Sequence, residues 1–322
     1  MQMPPPSLPS DNSFDQYALL LDGARGKEAI TTAVAHPCNA VSLTGAIEAA
    51  EAGLIIPVLV GPARKIQAVA AGLGLDLGPY RLEDAPHSHA AAQRSVELVR
   101  AGEAEALMKG SLHSDELLGA VIHPATGLRT ERRVSHSFLL DVPTYPKPLI
   151  ITDAAVNIAP DMKAKRDIVQ NAIDLAHAIG IQLPKVAILA AVEVVNPEMP
   201  ATVDAACLCK MADRGQITGG ILDGPLAMDN AISLNAAQTK GIVSAVAGQA
   251  DVLVVPDLEA GNILAKQLIF LARAEAAGII MGAQVPIVFF SRADSVSTRM
   301  ASCALAVLVA HHRRAQQLEV KP

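Results

Sequence analysis

Along the chain, apolar positions fall into short runs separated by amphipathic stretches of helix length. "LTGAIEAAEAGLIIPVLVGPARKIQAVAAGLG" reads as a helix, a strand at 55–60, a Gly-Pro turn and a second helix. "SHAAAQRSVELVRAGEAEALMKGS" repeats the rhythm, with a helix closing at Gly102 and a short strand ending at Lys109-Gly110-Ser111. Ahead of both, "ALLLDGARGKEAITTAVAHP" places apolar residues at helical spacing around a break at 23–26. The texture changes mid-chain. "RRVSHSFLLDVP" and "PKPLIITDAAVN" read as neighbouring strands with few residues between them, which predicts an antiparallel pair. Alternation then resumes. Helices are predicted over 162–179, 200–214, 229–246 and 261–276, strands in "KVAILAAV", "ITGGILDGP" and "ADVLVVPD" and near 279–282 and 286–290, and a last helix over 294–310.

This alternation predicts an α/β fold with mostly parallel sheets and helices on both faces. The strands outnumber what one sheet holds comfortably, so two α/β domains facing each other across a cleft are expected, with the active site in that interdomain cleft. Residues 15–135 with 290–322 would form a discontinuous first domain and 136–289 the second, after a loose tail at 1–14. The nearest candidate linker is "HPATGLRTERR", 123–133.

Composition narrows the function. Hydrophobic residues make up 51% of 322, but aromatics only 2% with no Trp, so the core is aliphatic and stacking platforms for nucleic acid or sugar are disfavoured. A net charge of -6 gives no broad basic field for a polyanion, although local basic clusters can still hold a small phosphorylated ligand. Cys38, Cys207, Cys209 and Cys303 are too few and scattered for a disulfide framework and lack metal-knuckle spacing, so they read as core or helix thiols of a reducing cytoplasm. The apolar runs at 54–60, 186–195 and 279–290 are short of a membrane span, and "MQMPPPSLPSDNSF" lacks the pattern of a signal peptide; a cytoplasmic protein is expected.

In open α/β sheets, ligands sit beyond the carboxyl ends of strands, where helix N-termini present unpaired amides. The strand ends here deliver Lys109-Gly110-Ser111-Leu112-His113-Ser114, Asp153 with Asn157, Asp223-Gly224-Pro225, Asp257 with Gly261-Asn262, and Ser291-Arg292. These are compact, polar and Gly-rich, which suits close approach to a phosphate. Each also has a plain reading: an Asp at a strand end followed by Gly or Pro is a turn or cap, Asn262 an N-cap, Lys266 a solvated helix residue. His113 and His136 stand beside serines, but no G-x-S-x-G elbow or triad spacing accompanies them, which argues against a hydrolase. Most pointed is "FFSRADSVSTRM", 289–300. Arg292 directly follows an apolar run, so it either pairs internally with an Asp or meets an anion at the strand's end.

Taken together, "MKGSLHS", "ITDAAVNIAPD", "DGPLAMDNAI", "PDLEAGNILAK" and "SRADS" resemble the phosphate acetyltransferase and butyryltransferase family in order and rough spacing, over about residues 30 to 310. The resemblance implies two α/β domains, a homodimer, and reversible transfer of an acyl group between coenzyme A and inorganic phosphate by direct displacement in a ternary complex. No metal or tightly bound cofactor is implied; acyl-CoA is a substrate. By the same resemblance, Arg292 neutralises phosphate or intermediate charge, while Ser291 hydrogen-bonds the sulfur or developing oxyanion. The acetyl branch carries an aspartate seven residues beyond that serine as base. Here the position is Thr298, leaving Arg299 and Asp294 as alternative thiol-activating groups, and Lys109 as a replacement for an arginine the branch carries after its counterpart of "GSLHS". "SRADS" is closer to the butyryl-type relatives. Acetyl transfer leads, ahead of butyryl transfer; a non-catalytic CoA-ester-binding relative and a metal- and NAD-dependent decarboxylating dehydrogenase are the readings from other classes.

Overall fold

The computed structural model describes residues 15–290 and 294–320. In chain order the elements are α1 (Asp15–Arg25), β1 (Ile30–Ala35), α2 (Ala40–Glu51), β2 (Ile55–Gly61), α3 (Ala63–Leu73), β3 (Arg81–Asp84), α4 (Ser88–Arg100), β4 (Ala106–Lys109) and α5 (Ser114–Val121). There follow β5 (Ser135–Asp141), β6 (Leu149–Thr152), α6 (Met162–Ala178), β7 (Lys185–Leu189), α7 (Pro200–Asp213), β8 (Ile221–Leu226), α8 (Met228–Ile232) and α9 (Leu234–Thr239). The chain continues through β9 (Val252–Val254), α10 (Leu258–Phe270), β10 (Glu275–Met281), β11 (Ile287–Val288) and α11 (Val296–Val320).

The α/β class and its mostly parallel pairing are as expected. The strands, however, hydrogen-bond into one eleven-stranded sheet, ordered β3-β2-β1-β4-β11-β10-β5-β6-β9-β7-β8, rather than one sheet per domain. The physical reason lies in the middle. β10 runs antiparallel to both β11 and β5, and β5 antiparallel to β6, so these two strands join a parallel block on one side to a parallel block on the other. The antiparallel β5–β6 pair is the one the sequence predicted.

Alternating strand residues feed different helix layers. On one face, Val34, Met108, Ile150 and Val186 share a continuous core with residues of α2, α6, α7 and α11. On the opposite face the cover divides: Ala33, Ala35 and Leu107 pack with α4 and α5, whereas Leu140, Ile151 and Ala187 pack with residues of α8 to α10. Between those two covers, beside β4 and β5, a gap lined by residues of α5 and α10 makes the site.

Several boundaries differ from the sequence reading. The predicted helix 229–246 is two short helices, because Ser233 ends the first and its hydroxyl accepts the Ala236 N–H to cap the second. The predicted helix 261–276 starts earlier, at the Asp257 cap, and stops at Phe270, since 275 onward is claimed by β10 between two partner strands. Residues 30–35, read as helical, form β1, paired with β2 and β4. α11 extends ten residues beyond the predicted end at 310, to Val320.

Candidate functional site

A hollow of about 450 Å³ occupies the gap, lined by Lys109, Leu112, His113 and Ser114 from the β4–α5 connection, His136 and Phe138 from β5, Ala155, Asn262 and Lys266 from α10, and Phe289, Phe290 and Asp294. Strand register explains the convergence. Ile279 pairs with Val288, which pairs with Met108, and Gly278 pairs with Phe138; one residue on, Lys109, Phe289, Gly278 and Phe138 form a row across the sheet.

The β4 end is held by backbone. Gly110 N–H donates to the Ala35 carbonyl at 2.9 Å, and a Cβ on Gly110 would lie 2.3 Å from that same oxygen, so no larger residue fits. Ser111 Oγ donates to the His36 carbonyl at 2.8 Å and accepts the Cys38 N–H at 3.2 Å. Its polar capacity thus goes into tying β4 to β1. These contacts aim Lys109, only 6% exposed, at the hollow, with Nζ 5.8 Å from the centre of the Phe289 ring. His113 begins α5, its backbone N–H donating to Glu116 at 2.7 Å.

The opposite wall depends on Asp153 and Gly261. The buried Asp153 carboxylate accepts N–H bonds from His136, Ala155, Val156 and Asn157, and a 2.5 Å bond from the Asn157 amide, which curls the loop that brings Ala155 to the hollow. Burial pushes the Asp153 carboxyl above its ordinary range, although the hydrogen bonds from Ala155, Val156 and Asn157 pull the other way. Gly261 lets α10 approach: a Cβ there would meet the Asp153 carbonyl at 2.8 Å. Asp257 caps α10 by accepting the Ala260 N–H, and Asn262 donates to the Ala154 carbonyl at 3.2 Å. One turn along α10, Lys266 reaches the same hollow.

His136 is 1% exposed, its ring edge-on to Phe138 and Phe289 at 4.4 and 5.8 Å. Burial pushes its imidazole down to about 3, a nearby Lys266 charge pushes the same way, and the Phe289 backbone carbonyl opposes both. It is a neutral wall at physiological pH, and too weak a base to take a thiol proton.

The sequence-nominated residues therefore separate. Lys109, His113, Asn262 and Asp294 line the hollow, while Gly110, Asp153, Asn157, Asp257 and Gly261 shape its walls. Thr298 and Arg299 are buried behind it: the Thr298 hydroxyl is 3.0 Å from Ser295 Oγ, and Arg299 Nη1 donates to the Asp294 carbonyl at 2.8 Å. Asp223 and Pro225 are elsewhere, on the edge strand β8. Ser291 and Arg292 lie outside the described residues; their described neighbours in sequence, Phe290 and Asp294, both line the hollow. Sequence reasoning missed Phe138, Phe289 and Phe290 as lining, set His136 aside with the hydrolase reading, and read Lys266 as a solvated helix residue, whereas all five line the hollow. The signal was present for the aromatics, since three of only five phenylalanines in the chain are here, and for Lys266, which stands at i,i+4 from Asn262.

Two other hollows are less suited to anions. One of about 630 Å³ is lined by Glu97, Asp115 and Glu116 without Lys or Arg. Another of about 420 Å³ is lined by Arg129 and Lys163 with Arg132 and Arg133, of which Arg132 is engaged with Asp174 and Arg133 with Asn157. Among the described residues, no helix is long and apolar enough to cross a membrane.

Comparison with known proteins places this arrangement in context. The family model described as phosphate acetyl/butaryl transferase matches residues 88–307. A phosphate acetyltransferase of Rhizobium meliloti is 62% identical over 303 residues, covering 94% of this chain and 96% of that protein. A phosphate butyryltransferase of Clostridium acetobutylicum is 42% identical, covering 90% and 96%. The crystal structure of a branched-chain phosphotransacylase from Enterococcus faecalis V583 superposes with a TM-score of 0.75 at 29% identity, covering 88% of this chain and 99% of that one.

Proposed function

The chain belongs to the phosphate acetyl/butyryl transferase family, and from that premise we propose that the hollow beside Lys109 moves a short acyl group, acetyl favoured, between coenzyme A and inorganic phosphate. It is an acyltransferase. The observation that carries the reading is the convergence, in one hollow, of two lysines from opposite walls with an aromatic lining. Dianionic phosphate is drawn to the first, and an acyl thioester to the second.

The step balances without outside reagents. One oxygen of hydrogen phosphate attacks the thioester carbonyl carbon, forming C–O. The C–S bond then breaks, and the departing sulfur keeps the electron pair and takes the proton that phosphate loses. The products are acyl phosphate and the thiol of coenzyme A. Because the proton passes from one substrate to the other, no carboxylate at position 298 is required, which suits a threonine whose hydroxyl is already bonded to Ser295. Lys109 and Lys266 hold phosphate and lower the charge barrier to its approach, and Asn262 orients it. Arg292 offsets the charge of the tetrahedral intermediate, and Ser291 hydrogen-bonds the sulfur or the oxyanion. Asp294 and Arg299 act by fixing the start of α11. The working form is a homodimer in the cytoplasm, with the hollow as a cleft between two α/β domains and no tightly bound cofactor.

The test is phosphate-dependent thiol release from acetyl-CoA and butyryl-CoA. Turnover with acetyl-CoA at the higher kcat/KM is expected. Release with neither ester, together with retained CoA binding, would replace this reading with that of a non-catalytic binder.

A further inference from the structure

The aromatic lining of the hollow has no part in binding phosphate. In a chain with 2% aromatic residues, Phe138, Phe289 and Phe290 come from two different strand regions to one cavity wall, and each belongs to a different core cluster. Phe138 is mid-strand on β5, with its neighbour across β10 being Gly278. A Cβ on Gly278 would lie 2.4 Å from the Phe289 carbonyl and 3.1 Å from His136 Nε2. That glycine leaves the space in which the His136 ring stands edge-on to Phe138 and Phe289. The wall is therefore fixed by backbone and by packing on both sides, and its 8% and 9% exposures at Phe138 and Phe289 leave little freedom to retreat.

Resting on the acyltransfer reading, we infer that Phe138, held edge-on by His136 and seated opposite Gly278, is a specificity-determining residue that limits the length of the acyl group. The substrates bring an anionic phosphate, the anionic nucleotide end of coenzyme A, its amide-bearing pantetheine arm and the acyl chain, and the acyl chain is the one of these without a polar group beyond the reacting carbonyl. It is the group that fits an aromatic wall, and each added methylene must find volume there. A rigid pocket that lacks room for a methylene discriminates by about 10- to 200-fold. Ala155, on the loop curled by Asp153, is the small residue on the same hollow and the counterpart position at which volume can be added.

The experiment measures phosphate-dependent kcat/KM for acetyl-CoA, propionyl-CoA and butyryl-CoA in the wild type, Phe138→Ala, Phe138→Leu and Ala155→Val, with thermal melts to verify folding. Phe138→Ala is expected to raise the butyryl-to-acetyl ratio by about tenfold or more, with Phe138→Leu in between. Ala155→Val is expected to shift the ratio the other way, and it decides the matter alone should the Phe138 variants not fold. A folded variant set whose ratios stay within about twofold of wild type overturns the role of the wall while leaving the acyltransferase reading intact. A wild type that releases no thiol from any ester overturns that reading, and the wall with it.

Discussion

The connection after β4 and the Asp223-Gly224-Pro225 step inside β8 look alike as sequence: Lys-Gly-Ser in one, Asp-Gly-Pro in the other, each a glycine-bearing polar step after an apolar run. The structure gives them different roles. β4 lies between β1 and β11, next to the junction where the two helix covers part, so its end opens on the hollow. β8 is the last strand of the sheet, and Asp223 Oδ1 accepts the N–H of Gly224 at 2.8 Å within that strand. A strand end becomes a binding element through its place in the strand order, which local composition does not encode. The rule that ligands sit beyond strand ends nominates candidates, and strand order selects among them.

Substitutions at the two places sharpen the contrast. The largest effect is expected from Arg292→Gln, next to the β11 end: about a hundredfold or greater loss in kcat/KM, as for removal of a preorganised anion donor, with the melting temperature unchanged. A loss smaller than threefold would remove Arg292 from the mechanism. Lys109→Met is expected to cost about tenfold or more, seen chiefly as a raised KM for phosphate, since a desolvated cation on the phosphate side is lost while its aliphatic stem is kept. An unchanged KM for phosphate would show that the β4 end is no more functional than the Asp-Gly-Pro step of β8.

The region of the hollow also carries a pH signature. His136 is held down to about 3 by burial, against about 6.5 when unfolded. Below pH 6.5 the unfolded chain binds a proton that the folded chain refuses, so stability present above that value is lost as pH falls toward 3, at up to about 1.4 kcal/mol per pH unit. Asp153 works in the opposite sense: burial raises its carboxyl, so on acidification the folded form takes up its proton before the unfolded one and gains stability in that window. Comparing wild type with His136→Phe isolates the histidine. The variant is expected to melt with a flatter dependence between pH 6.5 and 4, and equal slopes would mean that His136 titrates normally in the fold.

Much of the fold was legible because strand–helix alternation and the β5–β6 pair are local patterns. The start of β10 was not. "ARAEAAG", 272–278, is rich in strong helix formers, yet 275 onward is a strand because β5 pairs with it from Glu275 to Met281, joined by β11 at Ile279 and Ile280. The site was legible in part for a similar reason. Lys109 and Asn262 stand at a strand end and in the first turns of a helix, where the ligand rule looks, and so were found. His136 and Phe138 are inside a strand and reach the hollow only because β5 crosses the junction between the helix covers. No motif marks such a position.

The smallest expected effect completes the comparison. Asp223 accepts the Gly224 N–H within β8 and does not line the hollow, so Asp223→Asn keeps an acceptor oxygen for that N–H and removes only a charge at the sheet edge. Activity within threefold of wild type is expected, with kcat and KM both nearly unmoved. That outcome is informative because Asp223 stands in one of the segments through which the chain resembles its family. A collapse in kcat/KM with an unchanged melting temperature would show that the edge strand reaches substrate in the working enzyme.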